Sequence, residues 1–459
     1  MNYVEPYKIK MIEYIEKGTL EERKRWIKEA NYNLYNLKSN QVFINLISDS
    51  GTGSMSNIQW AEIMLADESY AGESSYFYLK EIVYEIMGCD YCLPTHQGRG
   101  AENIICSTLI EPGDIIPSNI HYSTTSSNIK NCGGKPVNCI VESAYDIETE
   151  DLFKGNIDVE KLKNVIDNNI GKIPFIILTI TCNTLGSQPV SMSNIKDVSK
   201  ICKENNILLF LDASRFAENA YSIKMIEESY REKGIKEIVN EMFSYSDGFI
   251  MSCKKDGLST TGGIVGLKNK DIFMKAKNFC LLYEGYFTHG GMSSRDLKMI
   301  GRGIKEAVDF NCLDARSKQV FKLGKKLDEI GIPIVKPYGG HAIYIDARKF
   351  YENVPLEEYP AQLLGYELYL EGGVRGNASN IKIKKSDVQN STVEIKNYSL
   401  LRLSIPRRTY TDNHIMYVAE VLYSIWEKRE SKSKGFLRKD KGDFFNLNNY
   451  TMEFVSNFK

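Results

Sequence analysis

Short apolar runs of strand length alternate with stretches whose apolar residues recur at helical spacing through the first two-thirds of the chain. Residues 175–181, 207–211 and 249–251 are predominantly apolar runs bounded by polar turns, the pattern of strands covered on both faces. Residues 42–47, 114–119 and 137–141 read as further strands, and 20–31, 79–87, 104–109, 159–168 and 193–205 as helices. Repeated strand–helix units predict a mostly parallel sheet with its ligand site where the strands end. Beyond it one long helix is expected over 294–321. A second region follows, with strands at 332–335, 342–346 and 400–405 and a helix at 414–428. The polar stretch 377–397 reads as a flexible loop, 428–443 as a charged connector, and 3–14 as an arm that reaches a partner subunit.

Composition narrows the class. Of the 459 residues, 42% are hydrophobic and 25% charged, as in a globular protein with a substantial core, and the net charge of −1 gives no reason to expect nucleic-acid binding. No apolar run reaches the length of a membrane span, and the first residues lack a basic segment followed by an apolar one. Ten cysteines without a secretory signal are expected to be reduced thiols in the cytoplasm. Cys89 and Cys92 form a C-x-x-C with no second pair at zinc spacing, and read better as small core residues than as ligands.

Candidate chemistry gathers at the predicted strand ends. After the strand 249–251 comes Ser252-Cys253-Lys254-Lys255-Asp256-Gly257. An amine among apolar and small residues is where a lysine becomes neutral and condenses with an aldehyde. The bland alternative is a pair of solvated lysines. Gln97-Gly98-Arg99-Gly100 sits where a loop becomes a helix, a place for an anion such as phosphate, or simply an N-terminus without a ligand. It does not have the G-x-G-x-x-G spacing of a dinucleotide fold. Asp212 ends an apolar strand and needs a cation: a protonated pyridine nitrogen, or Arg215 close by in sequence. Tyr122 at a strand end either stacks on a planar ring or packs in the core. Arg402, inside an apolar strand, invites a carboxylate from a substrate or a neighbour.

These residues stand within longer motifs. They include Asp49-Ser50-Gly51-Thr52, Tyr70-Ala71-Gly72, the run from Pro94 to Asn103, Gln188-Pro189-Val190-Ser191-Met192, Lys254-Lys255-Asp256 and Leu403-Ser404-Ile405-Pro406-Arg407. With them the sequence resembles, over nearly its whole length, the β-eliminating lyases of the tyrosine phenol-lyase and tryptophanase type, and is nearer the former. The resemblance implies an α/β, aminotransferase-like chain of pyridoxal phosphate fold type I, with a large, mostly parallel sheet domain and a smaller α+β domain. The expected division is an arm at 1–19, a small domain from 20–56 and 311–459, and a large domain at 57–310. It implies pyridoxal 5'-phosphate on Lys255, Asp212 on the ring nitrogen, Tyr122 on the ring face, and Asn183 and Arg215 beside the phenolic oxygen. Gln97, Gly98, Arg99 and Ser252 would hold the phosphate, with Lys254 lining the site. Ser48, Asn183 and Arg402 would take the substrate carboxylate, and Tyr70 would give the leaving group its proton. A monovalent cation, potassium or ammonium, would lie against Glu68 and the carbonyls of Gly51 and Thr260. A homotetramer built from dimers is expected.

The departures concern the leaving group. Where tyrosine phenol-lyase has an arginine for the phenol hydroxyl this chain has Ser379, and its threonine partner becomes Ser123. Tyr286 and Phe287 replace methionine and proline, and Tyr450 falls where a phenylalanine is expected. The aspartate of tryptophanase has no match near Ser123. The activity expected is loss of a β-substituent from an L-amino acid to give pyruvate and ammonium, with an altered leaving-group pocket. A tryptophanase-like or β-replacement enzyme or an aminotransferase of the same fold is the alternative, and a silent cofactor-binding homologue the third reading.

Overall fold

The computed structural model describes residues 4–386, 393–439 and 452–457. The chain forms two compact units, one made of 50–315 and the other of 1–49 with 316–459.

In the first unit seven strands make one sheet. From edge to edge they are Tyr91–Thr95, Gly263–Leu267, Gly248–Ser252, Leu208–Asp212, Phe175–Thr179, Ile115–Ser118 and Lys135–Asn138. Gly263–Leu267 runs antiparallel to both neighbours and the other pairs are parallel, so six strands share one direction. The residues of Phe175–Thr179 and Gly248–Ser252 are all buried, because helices cover both faces of such a sheet. Ile176, Leu178, Leu209, Leu211, Phe249 and Met251 pack with the helices Ser74–Met87, Met192–Glu204 and Ile235–Ser244 in one core cluster. Ile177, Phe210, Ile250 and Val265 point the other way, into a second cluster with the helix Gly98–Leu109. This alternation is the two-residue period of a strand.

The helix expected at 104–109 begins at Gly98, and the helices expected at 79–87 and 294–321 also differ from expectation. The helix expected at 79–87 begins a turn and a half earlier, at Ser74, because the Asp67 carboxylate accepts the N–H groups of Ser74 and Ser75 at 2.7 and 3.0 Å. The single helix expected over 294–321 is two, Ser294–Ala307 and Phe310–Ile330. The first ends at Val308, and Oδ1 of Asp309 then accepts the Cys312 N–H at 2.8 Å to start the second.

The other unit holds a three-stranded antiparallel sheet, Asn377–Ser386, Val393–Ser404 and Ala342–Asp346. The loop expected at 377–397 is therefore mostly two paired strands, in register from Asn377 opposite Arg402 to Ser386 opposite Val393. The signal was there: exposed Lys382 lies between half-buried Ile381 and buried Ile383, the alternation of a strand with one wet face. The high Lys, Ser and Asn content of the segment masked it. Only Ile44–Asn45 of the strand expected at 42–47 is extended and paired, in parallel with Val374–Arg375. At 332–335 a single bridge, Ile334 to Ile345, replaces a strand. The helices Pro360–Gly372 and Asp412–Glu427 bury Leu363, Leu364, Leu368, Val418 and Leu422 with Leu401 and Leu403 of the sheet. Among the described residues no helix is long and apolar enough to cross a membrane.

Candidate active site

Because six strands run one way, their carboxyl ends bring together segments far apart in sequence. Gln97 follows Tyr91–Thr95, Tyr122 follows Ile115–Ser118, Asn183 follows Phe175–Thr179, Asp212 ends its strand and Lys255 follows Gly248–Ser252.

The lysine turn and the aspartate turn are stitched by main-chain and hydroxyl bonds. The Ser214 hydroxyl donates to Oδ1 of Asp212 at 3.1 Å and accepts the Ser252 N–H at 3.0 Å. The Asp256 N–H donates to the Ser214 carbonyl at 3.2 Å. The Asp256 carboxylate accepts the N–H groups of Ala217 and Glu218 at 2.9 and 3.0 Å, at the start of the helix Phe216–Ile226. A buried carboxylate at a helix N-terminus satisfies two orphan donors and the dipole together. Lys255 is thus held between a strand end and a capped helix.

Burial raises the pKa of Asp212. The positive field of Lys255, the hydrogen bonds from Ser214 and the charge of Arg215 oppose that rise. Arg215 is buried and precedes the helix Phe216–Ile226. Tyr122 stands just before the helix Ser123–Asn131. It is fixed by its neighbour His121, whose N–H donates to Asn138 at 3.1 Å and whose ring nitrogen Nε2 bonds the Ile116 carbonyl at 2.8 Å. Asn183 lies in a loop closed by reciprocal bonds between Cys182 and Gln188, both 2.8 Å.

At the other end of this row the helix Gly98–Leu109 begins with no side-chain cap from Gln97. A Cβ on Gly98 would lie 2.6 Å from Cβ of Ser252, so only glycine lets the helix start approach this strand end. The Ser252 hydroxyl is buried and has no hydrogen-bond partner among the described residues. Lys254 has its pKa lowered, first by burial and then by repulsion from Arg99. An orphan hydroxyl, an uncapped helix start and two cations that repel each other fit a phosphate group. Burial disfavours the ionised Asp212 carboxylate, and a cation such as a protonated ring nitrogen beside it would offset that cost. The residues present therefore suit pyridoxal phosphate.

Tyr70 is exposed, and its ring lies 5.7 Å from that of Tyr286 and 5.6 Å from that of His289. The Tyr286 ring lies 4.5 Å from that of Phe287, over which Lys277 sits at 3.8 Å. Ser123 begins the helix Ser123–Asn131. A Cβ on Gly51 would be 3.2 Å from the Thr260 carbonyl oxygen, so these two are close together. Glu68 is paired instead with Arg295, at 3.0 Å.

In the other unit Nη2 of Arg402 donates to the carbonyl of Ile47, the residue before Ser48, at 3.2 Å. The Ser379 hydroxyl donates to Oδ1 of Asn377 at 3.3 Å. Tyr450 lies outside the described residues. Cys89 and Cys92 are buried within the apolar core, and burial pushes the Cys89 thiol up to about 12.

The family model for β-eliminating lyases matches residues 45–421. The chain belongs to the β-eliminating lyase family. A probable β-eliminating lyase of Trichomonas vaginalis is 48% identical over 433 residues, 94% of each chain. A tyrosine phenol-lyase of Symbiobacterium thermophilum is 44% identical over 94% of each chain. A tryptophanase of Salinibacter ruber is 44% identical over 91% of this chain and 88% of its own. Among solved structures, a threonine aldolase of Leishmania major superposes with a TM-score of 0.59 at 14% identity, covering 83% of this chain and 99% of its own. An aspartate aminotransferase of Thermotoga maritima gives 0.57 at 13% identity, covering 90% and 98%. The chain has the aminotransferase-like fold type I and is a pyridoxal-phosphate-dependent lyase, as the motifs implied.

Sequence reasoning did not single out Ser214 or Asp256. Ser214 and Asp256 stood next to assigned residues, but a bond between residues 38 or more positions apart has no signature in a single chain.

Proposed function

We propose that this enzyme removes the β-substituent of an L-amino acid to yield pyruvate and ammonium, and that its leaving group is not held as phenol is in tyrosine phenol-lyase. The observation that carries the reading is the convergence of Lys255, Asp212 and the orphan Ser252 hydroxyl at neighbouring strand ends in a chain of this family. Bound pyridoxal phosphate supplies an electron-withdrawing ring that spreads the charge left on Cα once its proton departs. Lys255 would hold the cofactor, and its Nζ would take the substrate α-proton. Asp212 would keep the ring nitrogen protonated, Tyr122 would cover the ring, and Asn183 and Arg215 would bond its phenolic oxygen. Gln97, Gly98, Arg99 and Ser252 hold the phosphate, and Lys254 lines the site. Ser48, Asn183 and Arg402 take the substrate carboxylate, and Tyr70 protonates the leaving group, with Tyr286 and Phe287 shaping that end. A potassium or ammonium ion against Gly51, Thr260 and Glu68 belongs to the same reading. So does a homotetramer built from dimers, supported by the exposed Trp60, Met64 and Leu65 on and beside the helix Asn57–Met64.

Ser379 carries the specificity claim. A neutral hydroxyl already bonded to Asn377 replaces a charge-assisted donor, a loss of roughly 1.5–3 kcal/mol. If the contact acts in the transition state, that is on the order of one to two powers of ten in rate. The test is kcat/KM for L-tyrosine, L-tryptophan and S-methyl-L-cysteine, with pyruvate as the product measured. S-methyl-L-cysteine should be the best of the three, and a clear preference for tyrosine would refute the altered pocket. The equal 44% identity to a tyrosine phenol-lyase and a tryptophanase keeps an indole leaving group as the second reading. A preference for L-tryptophan would establish it.

A further inference from the structure

One buried carboxyl beside this site has no role in the reaction described above. Glu102 lies one turn into the helix Gly98–Leu109 and is 8% exposed. Its Oε1 accepts the Thr124 hydroxyl at 3.0 Å, and its Oε2 accepts Nδ2 of Asn128 at 3.2 Å. Both donors stand on the helix Ser123–Asn131, which begins immediately after Tyr122. A single side chain therefore joins the helix that starts at the phosphate-facing glycine to the helix that starts at the ring-facing tyrosine.

The charged neighbours of Glu102 come from two other elements. Asp212 repels its carboxylate from the strand Leu208–Asp212, and Lys255 attracts it from the turn after Gly248–Ser252. On its own helix the Cys106 thiol is its titratable neighbour. We infer that Glu102 is a positioning residue of the cofactor site, one that fixes Tyr122 relative to Gly98 and sets the electrostatic field at Lys255. The inference rests on the assignment of the cofactor to Lys255.

Burial, with repulsion from Asp212, raises the Glu102 carboxyl to about 7. When ionised it favours a proton on the nitrogen that joins Lys255 to the cofactor. Removing that charge lowers the pH at which this nitrogen loses its proton.

The experiment is a visible-absorbance pH titration of holoenzyme for the natural protein, Glu102→Gln and Glu102→Asp, with the cofactor dissociation constant measured for each. Glu102→Gln should shift the midpoint down by about one pH unit and Glu102→Asp should hold it near the natural value. Glu102→Ala, which leaves Thr124 and Asn128 without an acceptor, should bind cofactor about tenfold more weakly. An unchanged midpoint in Glu102→Gln, or equal shifts in Glu102→Gln and Glu102→Asp, overturns the inference. Absence of any lysine-bound chromophore in the natural protein is a different result, because it removes the assignment to Lys255 itself.

Discussion

The Ser214 hydroxyl donates to Oδ1 of Asp212 at 3.1 Å while accepting the main-chain N–H of Ser252 at 3.0 Å. One hydroxyl thus links the aspartate proposed for the ring nitrogen to the serine proposed for the phosphate. Its bond also favours the ionised form of Asp212 against the cost of burial. Ser214→Ala should weaken cofactor binding by about five- to tenfold while leaving the fold intact. Fluorescence titration of the cofactor-free protein checks this.

Lys255 and Lys254 are adjacent, yet their settings differ. Lys255 faces Asp212 and Glu102, and Lys254 faces Arg99 and Gly51. Borohydride reduction of the yellow holoenzyme should fix the pyridoxyl group on Lys255, as a peptide map will show. A label on Lys254 would exchange the two roles.

Asp49 is 2% exposed and accepts Nη1 of Arg407 at 2.9 Å and Nη2 of Arg316 at 3.3 Å. Removing the carboxylate takes away an acceptor that two buried guanidinium groups share. Asp49→Ala should lose about 3–5 kcal/mol of stability, read from urea unfolding curves.

His121 and Glu102 pull stability in opposite directions over one pH window. Burial pushes His121 down to about 4, so the unfolded chain takes up a proton near pH 6.5 that the folded chain refuses. The stability this gives is present above pH 6.5 and is lost as pH falls toward 4. Glu102, raised to about 7, contributes stability present below about pH 4.5 and lost as pH rises to 7. Each swing is about 3 kcal/mol. Between pH 4.5 and 6.5 stability should therefore rise less steeply with pH in His121→Asn than in the natural protein, and more steeply in Glu102→Gln. Denaturant midpoints of the cofactor-free proteins at several pH values decide it.

Gly51 lies beside the Thr260 carbonyl, whereas Glu68 pairs with Arg295 at an exposed site. Potassium or ammonium should raise activity relative to sodium, and Glu68→Ala should abolish the difference. Equal rates in all three salts would show that the Glu68–Arg295 pair is not exchanged for a cation.

The sequence by itself determined the strand–helix alternation, because the apolar runs at 175–179 and 208–211 must be covered on both faces. It also marked Lys255, Asp212, Gly98 and Tyr122, since each stands at a strand end within a short motif of distinctive chemistry. The tertiary structure alone decided what those residues face. Ser214 meets Ser252, Asp256 caps a helix 39 residues earlier in the chain, and Glu102 bridges two helices, because a parallel sheet sets distant segments side by side. It also decided that 377–386 pairs as a strand: there composition argued for a loop, and an antiparallel partner with a buried face outweighed it. Helix ends followed the same logic. Asp67 and Asp309 moved them by supplying acceptors to N–H groups, which the spacing of apolar residues does not record.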